Sequence, residues 1–154
     1  QVLKEEGPVC REQLFKRVLT AWGISRLGVR LERRLDEVLS RMDVPVTEAG
    51  DKQFFWPVGF RPETYDQFRV PDDSGFRREL DEIPPEEVSA AVHYLLRHQI
   101  SLPREDLIRE VYRLFGFARV GASIEEAVEA GIRKAVEQGY AAYDDGRVVL
   151  RENP

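Results

Sequence analysis

A six-residue stretch occurs twice in this chain, as Gly23-Ile24-Ser25-Arg26-Leu27-Gly28 and as Gly116-Phe117-Ala118-Arg119-Val120-Gly121, 93 residues apart. The same offset aligns Arg11-Glu12 with Arg104-Glu105, Leu14 with Leu107, Val18 with Val111, Trp22 with Phe115, Leu31 with Ile124, Leu35 with Val128 and Leu39 with Ile132. A chain that repeats itself at a fixed offset folds as copies of one unit, which narrows the architecture before any motif is weighed. Each copy reads helix, glycine turn, helix and a short strand pair. The fold class expected is therefore mainly α with small β-hairpins (α+β), a tandem duplicated winged helix-turn-helix.

The boundaries follow from the changes in periodicity. The first copy covers 1–57, an irregular strap rich in proline and aromatic residues covers 58–83, and the second copy covers 84–154. In the first copy, Leu14, Val18, Leu19 and Trp22 recur at helical spacing, and Gly23 suits the position after a last helical turn. Leu27, Leu31, Leu35, Val38, Leu39 and Met42 form one stripe of a third helix. Val44–Thr47 and Gln53–Trp56 flank Ala49-Gly50-Asp51 as a hairpin. The strap carries Phe60, Tyr65, Phe68 and Phe76, too many aromatics for a disordered linker. Pro84-Pro85-Glu86-Glu87 has the proline and acids of a helix first turn. In the second copy, helices are expected over 86–98, 103–115 and 120–138, followed by a hairpin around Asp144-Asp145-Gly146, with 151–154 fraying. Gln1 to Glu6 matches Tyr94 to Gln99, so the chain is expected to begin inside a helix, as a fragment of a longer protein.

The third helix of a helix-turn-helix is the one that enters the major groove. With Leu31 at 0° on a helical wheel, Arg34, Arg41, Arg30, Arg26 and Arg33 fall at about −60°, −80°, −100°, −140° and −160°. Glu32 and Asp36 fall on the other side, near about +100° and +140°. The helix thus has an apolar stripe, a basic flank interrupted by Glu37, and an acidic flank. Its counterpart in the second copy replaces Arg30, Arg33 and Arg34 with Ser123, Glu126 and Ala127, and of the first copy's cations retains Arg119 and Lys134, the counterparts of Arg26 and Arg41. Between Pro8 and Met42 there are eight basic residues against four acidic ones. The candidate nucleic-acid-binding residues are accordingly Arg30, Arg34 and Arg41 on phosphates, Arg26 and Arg33 at the margins, and Lys52 on the wing. The net charge of −5 excludes binding over the whole surface and permits a local basic face.

Other signals are expected to be structural. The small residues Ala127, Ala130, Gly131 and Ala135 suit close packing or a protein partner. Arg26 and Arg119 suit capping of the preceding helix, and Gly23, Gly28, Gly116 and Gly121 suit backbone geometry or close packing. His93 and His98 lack the spacing of a zinc helix, and the single cysteine, Cys10, has no histidine partner in sequence. Asp72-Asp73 and Asp144-Asp145 read as turns. No catalytic arrangement, metal site or cofactor is expected. No apolar run approaches the roughly 20 residues of a membrane span, and a cytoplasmic location is expected.

The paired Gly-x-x-Arg-x-Gly motifs, Phe55-Trp56-Pro57, the Phe68-Arg69-x-Pro71 step and Ile83-Pro84-Pro85-Glu86-Glu87 occur in order over nearly the whole chain. Together they resemble the C-terminal domain of unknown function of large bacterial superfamily I helicase-like proteins, which often also carry a Vsr-like endonuclease domain. The resemblance implies a multidomain helicase or nuclease parent acting on DNA, and no catalytic residues for this segment. Two readings follow. One is a non-catalytic accessory domain that binds DNA weakly and with little sequence preference. The other is a protein-interaction or scaffold module that docks on the helicase and nuclease domains of the parent or mediates self-association.

Overall fold

The computed structural model describes residues 1–73 and 78–152. Phe76 of the strap and the last two residues of the tail lie outside the described residues. The chain divides into two compact units, Gln1–Pro62 and Glu63–Pro154. Most of the strap thus belongs to the second unit. The described residues form an α+β protein with six α-helices and two three-stranded antiparallel sheets.

The first unit runs α1 (Val2–Glu6), β1 (Val9–Cys10), α2 (Arg11–Ala21), α3 (Val29–Arg41), β2 (Val46–Ala49) and β3 (Lys52–Phe55), with strand order β1-β3-β2. Its core gathers Leu3, Leu14, Phe15, Leu35 and Phe55, with Val18, Leu27, Leu31 and Leu39 packed against them. Trp56 is fully buried and donates its indole N–H to Thr47 Oγ1 at 2.9 Å, which fixes the end of β3 against β2.

The second unit repeats the order: α4 (Pro85–Gln99), β4 (Ser101–Pro103), α5 (Arg104–Leu114), α6 (Ala122–Glu137), β5 (Ala141–Asp144) and β6 (Arg147–Leu150), with strand order β4-β6-β5. α5 and α6 begin 93 residues after α2 and α3, whereas both hairpin strands are displaced by 95, because α6 continues past the counterpart of Arg41 to Glu137. The hairpin register survives this insertion, with Val46 facing Phe55 and Ala141 facing Leu150. Asp145 and Gly146 both have positive φ, as the tight turn encoded by Asp-Gly requires. Gly131 meets Val88 of α4, so the small-residue face of α6 is filled by a helix of its own unit.

Some expectations fail. Each sheet has a third strand, β1 and β4, where the sequence pattern gives only a hairpin. Two or three residues are too few to show a period of two. Trp22 is not an inward residue of α2: the helix ends at Ala21, and the side chain is 59% exposed. Val38 and Met42 also lie on the surface. Gly23 and Gly116 do take positive φ, at +69° and +89°. Gly28 and Gly121 are instead ordinary extended N-caps, and Gly28 and Gly121 each have open space where a Cβ would go.

The strap is anchored by a side chain that the sequence disguises as a first-turn acid. Glu87 is completely buried. Its carboxylate accepts hydrogen bonds from the Arg69 backbone N–H at 2.8 Å, Arg69 Nε at 3.2 Å, Arg69 Nη2 at 2.9 Å, and Arg78 Nη1 and Nη2 at 2.8 and 2.7 Å. Burial alone would raise its pKa, but the hydrogen bonds and charges of Arg78 and Arg69 outweigh it and hold the carboxyl below its ordinary value. Tyr65, buried beside this cluster, is pushed up to about 12 by burial and by the charge of Glu87. Glu86, next to Glu87 in sequence, is nearly as buried but lies 3.9 Å from Lys134 in place of a two-arginine cradle, and burial raises its pKa.

Candidate nucleic-acid interface

α3 is positioned by its own apolar spacing. Leu31, Leu35 and Leu39 recur at three to four residues and face the core, which turns Arg30, Arg33 and Arg34 outward. The acidic flank then meets the start of α2. Arg11 Nε donates to Asp36 Oδ1 at 2.9 Å, while its Nη2 reaches Asp36 Oδ2 at 2.7 Å and Glu32 Oε1 at 3.0 Å. The guanidinium lies 4.4 Å from the centroid of the Phe15 ring. The hydrogen bond to Asp36, reinforced by that to Glu32, holds Arg11 protonated more firmly than usual against the opposing effect of burial.

The second unit repeats this clamp. Arg104 reaches Glu125 at 3.7 Å and Glu129, the counterparts of Glu32 and Asp36. A contact present in both copies is part of the frame. Its electrostatic consequence differs, because only α3 carries a basic flank beside it.

Glu32 and Asp36 are occupied by Arg11 and make no hydrogen bond or ion pair with the flank arginines among the described residues. Arg26, Arg30, Arg33 and Arg41 are exposed and make no hydrogen bond or ion pair among the described residues. Arg34 makes a loose, exposed pair with Glu37 at 3.8 Å, worth little in water. Arg26 therefore does not cap the preceding helix, and neither does Arg119, because no carbonyl among the described residues accepts from them. Lys52 differs from the arginines: it begins β3, is half-buried and pairs with Glu12 at 3.8 Å. Its charge is directed toward α2 rather than toward a wing tip. In the second unit the counterpart of Arg41, Lys134, is held by Glu137 at 3.2 Å and Glu86 at 3.9 Å.

The remaining sequence candidates have local roles. His93 stacks on Tyr140 with ring centroids 4.3 Å apart, and burial lowers its pKa. The His98 ring lies against Tyr94, with Nδ1 2.8 Å from the Tyr94 carbonyl. Cys10 is buried at the start of α2. No helix among the described residues is long and apolar enough to cross a membrane. Sequence reasoning missed Arg11, although its alignment with Arg104 was the available signal.

The structure therefore defines a duplicated α+β protein with a basic flank on α3, of which Arg26, Arg30, Arg33 and Arg41 make no ion pair among the described residues. The family described as Protein of unknown function (DUF3320) matches residues 1–33, so α1, α2 and the turn leading into α3 are similar to that family. No curated protein and no solved structure matches the chain.

Proposed function

We propose that this chain is a non-catalytic nucleic-acid-binding accessory domain, a tandem winged helix-turn-helix whose first copy contacts DNA phosphates through α3. The order helix, strand, helix, helix, strand, strand in each unit supports the winged-helix reading. The observation that carries the functional reading is the Arg11 clamp, which occupies Glu32 and Asp36, while Arg26, Arg30, Arg33 and Arg41 have no partner among the described residues. Long cations with no intramolecular partner are suited to phosphate, and such contacts position a duplex without reading its bases. The resemblance to the C-terminal domain of superfamily I helicase-like proteins supports a place beside helicase and nuclease domains of one cytoplasmic parent chain. Lys52 has a lesser part, because Glu12 already holds it.

Fluorescence anisotropy with a labelled duplex, titrated across salt, tests this. Binding is expected at low salt and is expected to weaken steeply as salt rises. Removing two phosphate contacts with Arg30→Ala/Arg33→Ala lowers the slope of log K against log salt by about 1.8. Arg119→Ala, at the equivalent turn of the second unit, leaves it unchanged. Absence of binding at low salt, or an unaltered slope in the double variant, refutes the proposal.

A further inference from the structure

The turn between α2 and α3 shares its backbone hydrogen bonds with the turn between α5 and α6. The Trp22 N–H donates to the Val18 carbonyl at 3.1 Å and that of Ile24 to Leu19 at 2.9 Å. Phe115 donates to Val111 at 3.2 Å and Phe117 to Tyr112 at 2.9 Å. The aromatic side chains at the shared position nevertheless have opposite fates. Phe115 is 2% exposed and packs on Phe68 of the strap, with ring centroids 6.2 Å apart, whereas Trp22 is 59% exposed. The Trp22 ring makes no aromatic contact, and its indole N–H has no acceptor among the described residues.

The charges along the chain beside this ring are all of one sign. From Gln13 to Leu31 there are four basic residues and no acid. Arg17 is held by Glu6, while Lys16, Arg26 and Arg30 are exposed and make no ion pair among the described residues, as does Arg33 one turn further along α3. The matching stretch of the second unit contains Asp106 and Glu110. Arg26 follows Trp22 by four residues, in the extended link that ends at the α3 N-cap Gly28, so their Cα atoms are at most about 14 Å apart. An open aromatic face among unpaired cations is the chemistry that holds a single strand: the ring stacks on a base and the cations hold its backbone. A base inside a duplex has both faces covered by its neighbours and offers such a ring nothing to stack on.

We propose that Trp22 is a stacking platform for an unpaired base, and that the preferred substrate of the first unit is DNA in which a single strand continues from a duplex end. Arg30 and Arg33 hold phosphates of the duplex, Arg26 contacts the departing strand, and the Trp22 ring receives one of its bases. This rests on the nucleic-acid reading of α3 and specifies the form of DNA it takes. Stacking is indifferent to base identity, in keeping with cations that contact phosphate alone. Phe115, at the same position under the strap, has no face to offer, so the second unit lacks the activity.

Three kinds of DNA, added to the whole chain, test this: a blunt duplex, the same duplex with a single-stranded overhang of about six nucleotides at each strand end in turn, and the same overhangs built of abasic sugars. The abasic overhangs keep the phosphates and remove the bases. An overhang with bases is expected to bind about tenfold more tightly than the blunt duplex, in the low part of the range for one base stacked on an aromatic ring. It also shields Trp22 from acrylamide, with the fully buried Trp56 as internal reference. The abasic overhang loses most of this gain and leaves Trp22 unshielded. Trp22→Ala removes the preference without changing the far-UV circular dichroism or the salt dependence of blunt-duplex binding, and Trp22→Phe retains it. Equal binding of all three DNAs with Trp22 unshielded, or an overhang preference that survives Trp22→Ala, overturns the stacking role and leaves the phosphate reading standing. Binding of none of them overturns both. Shielding of Trp22 on raising the protein concentration alone assigns the ring to self-association and overturns the proposal.

Discussion

Replacing Glu87 with glutamine removes the charge at the centre of the strap's anchor while preserving its shape. The amide keeps one acceptor oxygen and presents two N–H donors to guanidinium groups that can only donate. Breaking a buried ion pair by neutralising one partner costs about 3–5 kcal/mol, because the surviving charge stays buried. Arg78 is mostly covered, but the Arg69 side chain is 36% exposed and can turn toward water, which favours the lower end, about 3 kcal/mol. For a unit of roughly 90 residues, with an unfolding entropy of about 2.1 cal/mol/K per residue, this lowers the midpoint by about 15 °C.

Thermal melts followed by far-UV circular dichroism measure the shift. The expected loss is confined to Glu87→Gln: Arg34→Ala, which removes only the exposed pair with Glu37, changes the midpoint little. The pH dependence is an independent check. The folded-state pKa of Glu87 lies below its unfolded value, about 4.3, so its stabilisation is complete above that pH. It disappears as pH falls further through the folded-state value. The gap between wild type and variant is therefore constant from about pH 7 to pH 5 and closes in more acid solution. A midpoint within a few degrees of wild type at neutral pH, or a gap that widens in acid, refutes the reasoning.

Four further outcomes follow from the same geometry. Gly131→Ala pushes a methyl group into Val88 across the contact between α4 and α6 and lowers stability by about 1–3 kcal/mol in denaturant titration. Gly23→Ala, at positive φ, costs about 1 kcal/mol, whereas Gly28→Ser places a capping hydroxyl at an open N-cap and gains a few tenths of a kcal/mol. Glu86→Gln raises the melting midpoint at neutral pH and loses that advantage in acid, because burial raises the folded-state pKa of Glu86 and makes its charged form unfavourable.

Features with a period were legible in the sequence, and those without one were not. The stripe Leu31, Leu35 and Leu39 gives α3 and fixes which arginines face outward, so the basic flank could be drawn from a helical wheel. Trp22 follows Val18 and Leu19 at helical spacing and so reads as core, but the helix ends one residue earlier and the positive-φ glycine turns the chain away. The Glu87 cluster joins residues 9 and 18 positions apart in an irregular segment. No sequence rule links them, and two acids behind two prolines read as a solvated helix start. The third strand of each sheet is too short to show an alternation, and pairing with β3 or β6 comes from the tertiary fold.

An exposed arginine is weak evidence of function, since water solvates it at little cost. The duplication provides a stronger argument. The backbone that presents Arg30, Arg33 and Arg34 in the first unit presents Ser123, Glu126 and Ala127 in the second, on a helix held by the same arginine clamp. The frame therefore has no need of positive charge at those positions. It also has no need of an exposed aromatic after the second helix, because Phe115 is buried there under Phe68. The second unit has turned its surplus surface inward: Lys134 pairs with Glu137 and Glu86, Gly131 receives Val88, and Phe115 receives the strap. The first unit leaves the matching positions open to solvent, with cations on α3 and an aromatic ring in the turn before it. Residues that the fold can dispense with in one copy, yet displays in the other, are those on which the proposed function rests.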